Sequence, residues 1–147
     1  MSVSDTPAGN EGQRMAVAWG EAVQGMQCRV RPAETNQATT LLLYDVRNIG
    51  SVTFYGYRAP AVNFAVRIDN NWYHWLGGAD VKGSRFSPGC IYSNSIDLSH
   101  PEWGIDVSPG THSVQIAILV NKERPFWRRC IWVPSNVLSV EFSRLIR

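Results

Sequence analysis

Three histidines, a few serines and a few acids are the residues of this 147-residue chain whose types suit catalysis or metal binding. His74, His100 and His112 form no HxH or HxxxH arrangement, so a metal site would need ligands from separate segments. Asp97, Ser99 and His100 supply the residue types of a hydrolytic triad. Such close neighbours do not readily adopt triad geometry, and no G-x-S-x-G turn accompanies them. This spacing predicts neither a metal centre nor a nucleophilic triad.

The acidic residues lie mostly in predicted turns. Glycoside cleavage requires two carboxylates that face one cleft, and the sequence indicates no such pair. Five acids in or near predicted turns and loops could approach a calcium ion: Asp69, Asp80, Asp97, Glu102 and Asp106. Turn and capping roles explain them more simply. The chain also lacks a glycine-rich loop that would cradle a phosphate. We therefore expect a protein that is not an enzyme, without catalytic residues, resident metal or cofactor.

The most suggestive side chains are tryptophans that stand beside polar groups. Sugar rings present apolar C–H faces that stack on flat side chains, and the same aromatic residues dominate protein-binding hot spots. Trp72 has Arg67 and His74 nearby in the sequence, and Trp103 stands in a predicted loop beside His100. The alternative is that these rings cover sheet edges or pack under loops. The candidate ligand-binding residues are Trp72, His74, Arg67, Trp103, Trp127 and Arg128.

Charge and hydropathy restrict the expected partners. The formal net charge is +2 and the basic residues are scattered, which does not favour a nucleic-acid partner. One basic group, Lys122 to Arg129, surrounds Trp127 and is typical of a solvated loop. No run approaches eighteen apolar residues, so we expect no insertion into a membrane. A protein or a glycan remains the expected partner.

The length predicts a single domain. Residues 1–15 are polar and lack periodicity, which favours a disordered lead-in, and residues 16–147 form the domain. The lead-in has neither the basic nor the apolar segment of a signal peptide. Cys28, Cys90 and Cys130 allow at most one disulfide; a buried free thiol is favoured for Cys28, and the pairing stays open.

Apolar residues recur at every second position in several segments, which is typical of β-strands. We therefore expect strands to position these side chains. The turn Pro109-Gly110 leads into alternating apolar residues from Val114 to Val120, and Leu138 to Phe142 repeats the pattern. The segment from Gly77 to Tyr92 is rich in glycine and predicts a long irregular connection. No segment of ten residues has helical spacing. The sequence therefore predicts an all-β, antiparallel, immunoglobulin-like sandwich of about seven to nine strands.

The clearest hairpin lies between Ala61 and Leu76. We predict a two-residue turn at Asn70 and Asn71, because asparagine tolerates the positive φ that such turns require. That register puts Ile68 opposite Tyr73. The inward face then carries Phe64, Val66, Ile68, Tyr73 and Trp75, and the outward face carries Arg67, Asp69, Trp72 and His74.

Four segments carry a resemblance to a known kind of module. They are Trp19 to Arg31 (WGEAVQGMQCRVR), Asp45 to Gly50 (DVRNIG), and Pro109 to Val114 (PGTHSV) with Pro134 to Val140 (PSNVLSV). Together they resemble an Ig-like accessory module of bacterial, notably planctomycete, surface, secreted and sensor proteins. The resemblance implies a non-catalytic binding or spacer module, placed outside the cytoplasm as part of a larger protein. A carbohydrate-binding module that uses exposed tryptophans is the alternative.

Overall fold

Two antiparallel sheets form because apolar side chains alternate along most of the strands. A computed structural model describes residues 17–33, 40–58, 63–77, 83–122 and 130–143. Ten strands lie in these ranges: β1 (Met26–Pro32), β2 (Leu41–Asn48), β3 (Phe54–Gly56), β4 (Phe64–Ile68), β5 (Asn71–His74), β6 (Ser84–Phe86), β7 (Ile91–Asp97), β8 (Gly110–Asn121), β9 (Cys130–Pro134) and β10 (Leu138–Phe142). One turn of 3-10 helix, Pro101–Trp103, lies between β7 and β8. Within the described ranges, no helix is long and apolar enough to cross a membrane.

Strand β8 is the centre of a seven-stranded sheet. One edge of β8 pairs with β4 and, at Asn121, with β3. The opposite edge pairs with β10 and then with β9. Strand β5 extends the sheet beyond β4, and β6 extends it beyond β3. The length of β8 therefore sets the register between strands that are far apart in sequence.

The smaller sheet has three antiparallel strands in the order β1, β2, β7. Asn136, in the connection between β9 and β10, links this sheet to the larger one. Its Oδ1 accepts a hydrogen bond from the Val30 amide at 2.7 Å, and its Nδ2 donates to the Val30 carbonyl at 3.0 Å. Because these bonds satisfy backbone groups at the edge of β1, they hold the two sheets in a fixed relation.

One apolar core lies between the two sheets. Its fully buried members include Val114, Ile116, Ile118 and Val120 of β8, and Met26, Cys28 and Val30 of β1. Each buried aliphatic side chain contributes about 1.5–3 kcal/mol relative to an exposed one. The predicted antiparallel β-sandwich is confirmed, while its immunoglobulin-like identity stays a prediction.

The hairpin between β4 and β5 differs in register from the prediction. Val66 pairs with Tyr73 and Ile68 with Asn71, so the turn residues are Asp69 and Asn70 rather than Asn70 and Asn71. Asp69 itself adopts a positive φ of 55°, which aspartate tolerates better than most residues. The pairing is shifted by two residues, an even number, so the predicted division of side chains between the two faces is preserved.

Other segments follow the sequence pattern with smaller differences. Strand β10 begins and ends where the alternation predicts. The segment from Gly77 to Tyr92 is not wholly irregular, because Ser84–Phe86 forms strand β6 against β3 and buries Phe86. Cys28 points inward as predicted, and the three cysteines are free thiols. The predicted lead-in, residues 1–15, lies outside the described residues.

Candidate functional site

The outer face of the larger sheet carries a row of four residues in register, and the two central ones are alanines. His74, Ala65, Ala117 and Pro134 lie in register across strands β5, β4, β8 and β9. The neighbours of the two alanines along β4 and β8 point into the core, so the alanine methyl groups point outward. Two adjacent methyl groups leave a depression in a sheet surface that longer side chains would otherwise fill.

Aromatic side chains from the flanking strands enclose this depression. The ring centroids of His74 and Trp132 are 6.3 Å apart at an interplanar angle of 63°. Their strands are three spacings apart, about 14 Å, so both rings lean toward each other above the alanines. Trp72 completes the enclosure. The resulting cavity, the Trp72–Trp132 groove, has a volume of about 390 Å³ and is lined by Ala65, Trp72, His74, Ala117, Trp132 and Pro134.

The two tryptophans of the groove are about half exposed. Trp72 retains 47% of its accessible surface and Trp132 retains 42%, while the alanines beneath are almost fully buried. The surface that lines the groove is nearly all carbon. A cavity of this size and lining can accommodate a small ligand with an apolar face.

Arg67 lies on the same outer face, beside the groove. It pairs across strands with Trp72 on one side and with Gln115 on the other, two residues along β4 from Ala65. Its Nε is buried and has no hydrogen-bond partner. Three of the residues predicted to bind a ligand, Trp72, His74 and Arg67, are therefore brought together as predicted from the hairpin.

The turn that begins the Trp72 strand is anchored by a contact between Asp69 and His112. Asp69 Oδ2 lies 2.7 Å from His112 Nδ1, and Asp69 Oδ1 accepts from the Ser113 amide at 3.1 Å. The other ring nitrogen, Nε2, lies 2.7 Å from the Ser108 carbonyl oxygen. Because both ring nitrogens face oxygen acceptors, the protonated imidazolium satisfies both. The hydrogen bond to Asp69 raises the pKa of His112, and the hydrogen bond from His112 lowers the pKa of Asp69.

Trp103, a predicted ligand-binding residue, is not available to a ligand. It is 1% exposed and packs edge-to-face on Trp75, with ring centroids 5.2 Å apart. The 3-10 turn that contains it is capped by His100, whose Nδ1 accepts from the Glu102 amide at 3.2 Å. The turn directs the indole into the core, so for Trp103 the alternative of a ring that packs under a loop describes the structure. Trp127 and Arg128, also predicted to bind a ligand, lie outside the described residues.

Asp97, Ser99 and His100 are hydrogen-bonded as a turn and a helix cap. Asp97 Oδ1 accepts from the Ser99 hydroxyl at 2.6 Å, from the Ser99 amide at 3.0 Å and from the Thr40 hydroxyl at 3.0 Å. Burial alone would raise the pKa of Asp97, but the bonds from Ser99 and Thr40 outweigh it and lower the pKa. A triad requires the serine hydroxyl to donate to an imidazole. Here it donates to the carboxylate instead.

The outer face of the smaller sheet carries a group of polar side chains that pair with one another. Asp45 Oδ2 accepts from Arg29 Nε at 2.6 Å and from Arg31 Nε at 2.9 Å, and Asp45 Oδ1 accepts from the Ser93 hydroxyl. Burial alone would raise the pKa of Asp45, but the hydrogen bonds from Arg31, Ser93 and Arg29 more than offset it and bring the pKa to about 2. The Arg29 guanidinium also lies 4.4 Å from the centre of the Trp19 ring. These contacts are those of a structural network.

The residue that sequence reasoning missed is Trp132. The alternation in Ile131, Trp132 and Val133 predicts that Trp132 points away from the core, and it does. Its relation to Trp72 depends on the pairing of β4 with β8 and of β8 with β9, which join segments far apart in sequence.

The part of the chain that the structure describes contains no group of three or more His, Cys, Asp or Glu side chains arranged to hold a metal ion. Comparison with protein-family models, with curated proteins and with solved structures finds no match. The Trp72–Trp132 groove is therefore interpreted from its own geometry.

Proposed function

We propose that this protein is a non-catalytic carbohydrate-binding β-sandwich module and that a sugar ring occupies the Trp72–Trp132 groove. The observation that carries this proposal is the placement of two half-exposed indoles and an imidazole above a floor of two alanines. A sugar ring is a flat ligand with apolar C–H faces and polar edges. Indole faces bind the C–H groups, while side chains at the rim can reach the hydroxyls.

The contrast between the two outer sheet faces supports a binding role over a purely spacing role. An antiparallel sheet that only faces water is usually polar on that side. On the smaller sheet, Arg29, Arg31 and Asp45 follow this rule at the centre of the outer face, although Ile91 at the edge is exposed. The larger sheet departs from the rule where alanines and tryptophans create an apolar groove. A spacer would gain no stability from exposing indole rings to water, whereas a ligand site needs them.

The size of the groove favours a small ligand over a protein surface. A stable protein interface covers about 800 Å² per partner and some 20–30 residues on each side. The groove is lined by six residues, which is the scale of one or two sugar rings. An Ig-like accessory role in a bacterial protein, which the sequence resemblance implies, is compatible with this proposal and stays a prediction.

A glycan array tests the proposal with four proteins: the wild type, Trp72→Ala, Trp132→Ala and the control Ile91→Ala. Ile91 is 60% exposed on β7 of the other sheet, so its loss removes apolar surface without touching the groove. We expect the wild type and the Ile91 variant to retain the same glycans. Each tryptophan variant should lose at least tenfold in affinity, about 1.4 kcal/mol. Absence of any bound glycan, or equal binding by Trp132→Ala, would refute the proposal.

A further inference from the structure

Arg67 is a cation at the rim of the groove that the described residues leave without an anion. It has no ion pair among them, and its buried Nε has no hydrogen-bond acceptor. Burying a guanidinium donor without an acceptor costs free energy, because the donor loses its bond to water. Arg58 Nε is also buried without an acceptor, but Arg58 donates through Nη2 to the Arg85 carbonyl and lies over two aromatic rings. On the smaller sheet, Arg29 and Arg31 share the Asp45 carboxylate.

The acid nearest to Arg67 along the chain forms hydrogen bonds with other residues. Asp69 is the next residue on that side of the strand, and a carboxylate there could serve Arg67. Its oxygens contact other groups instead, Oδ2 the His112 ring and Oδ1 the Ser113 amide, and no ion pair joins it to Arg67. Among the described residues, the positive charge of Arg67 beside Trp72 therefore has no carboxylate partner.

We propose that Arg67 recognises the carboxylate of an acidic sugar, so that the ligand of the groove contains a uronic acid. This inference rests on the proposed carbohydrate-binding function and specifies its ligand class. The planar guanidinium matches a carboxylate with two parallel N–H···O bonds. Cross-strand neighbours have Cβ atoms about 4.5–5.5 Å apart, and Arg67 and Trp72 are such a pair. One sugar residue can therefore stack on the indole and present its carboxylate to the guanidinium.

The test uses oligomers of galacturonate, glucuronate and mannuronate, each beside its methyl ester, which keeps the ring and removes the charge. Calorimetric titration compares the wild type with Arg67→Gln, Arg67→Lys and the control Arg85→Gln. Arg85 is an exposed arginine on β6, at a distant edge of the same sheet. We expect the wild type to bind at least one uronate at least tenfold more tightly than its ester. Arg67→Gln should lose that preference but still bind the ester, Arg67→Lys should retain only part of it, and Arg85→Gln should be unchanged.

The outcomes separate this inference from the function on which it rests. If the wild type binds acid and ester equally, and Trp132→Ala abolishes both, the groove binds sugar and the assignment of Arg67 is wrong. If Arg67→Gln weakens the binding of the acid and of its ester by the same factor, the role of Arg67 as a carboxylate ligand is wrong. If the wild type binds no sugar, neutral or acidic, both proposals fail.

Discussion

Replacing Trp103 by alanine should destabilise the fold far more than replacing Trp72. Trp103 is 1% exposed, while Trp72 keeps 47% of its surface in solvent. A fully buried tryptophan removes about 200 Å² from water, which at about 25 cal/mol per Å² corresponds to roughly 5 kcal/mol. Core Trp→Ala changes cost about 3–5 kcal/mol. Trp72→Ala removes about half as much buried surface and leaves no enclosed cavity in the core. We therefore expect it to lower the free energy of unfolding by about 1–2 kcal/mol.

Urea unfolding followed by circular dichroism measures this difference. With a slope of about 2 kcal/mol per M for a domain of this size, Trp103→Ala should lower the midpoint by about 2 M. Trp72→Ala should lower it by about 0.5–1 M. Trp75→Ala serves as a second core variant, because Trp75 packs on both Trp103 and His100. Equal midpoints for the Trp103 and Trp72 variants would refute the assignment of Trp103 to the core and of Trp72 to the surface.

Three further changes test the groove, the turn and the smaller sheet. Ala117→Leu should fill the groove and lower sugar affinity at least tenfold in calorimetric titration, with a change in unfolding free energy of no more than about 1 kcal/mol, because the added carbons enter open space. His112→Gln should destabilise the fold most between about pH 4 and pH 6.5. The pKa of His112 is raised in the fold, so its contribution to stability is complete below pH 6.5 and is lost as pH rises through the folded pKa. The pKa of Asp69 is lowered, so its contribution is complete above pH 3.8 and is lost as pH falls through the folded pKa. A pH series of urea midpoints checks this, and a pH-independent loss would contradict it. Asp45→Asn should cost about 3–5 kcal/mol at pH 7 by leaving two arginines without their carboxylate. The wild type itself should lose a part of this stabilisation as pH falls from 3.8 toward 2, and an unchanged midpoint would refute the role of Asp45.

The sandwich could be predicted because a period of two survives in the strands that form its core. Every second residue is apolar from Val114 to Val120 and from Leu138 to Phe142, and turn residues bound both segments. The hairpin register could not be fixed locally, because three consecutive residues, Asp69, Asn70 and Asn71, all suit a tight turn. In the turn that forms, at Asp69 and Asn70, Asp69 contacts His112, which is 43 residues away. A tertiary contact of that kind leaves no signal in the local sequence.

The candidate site could be predicted only in part. The outward direction of Trp72 and His74 follows from alternation, and the structure confirms it. The burial of Trp103 could not be deduced, because a loop residue has no periodic constraint and only the turn capped by His100 directs it inward. The alanine floor depends on strand pairing across the sheet, which places Ala65 beside Ala117 although neither is distinctive in sequence.

The measurement that tests the central claim most directly is a two-dimensional NMR titration of the tryptophan indole N–H signals. The claim is that sugar binds in the Trp72–Trp132 groove, so the probe is the oligosaccharide retained most strongly on the array. The indole signals of Trp72 and Trp132 should shift with the same dissociation constant. Those of buried Trp103 and of Trp19, whose ring packs on Arg29 and Arg47 of the smaller sheet, should stay unchanged. Saturable binding that shifts Trp19 and leaves both groove tryptophans unchanged would contradict the claim.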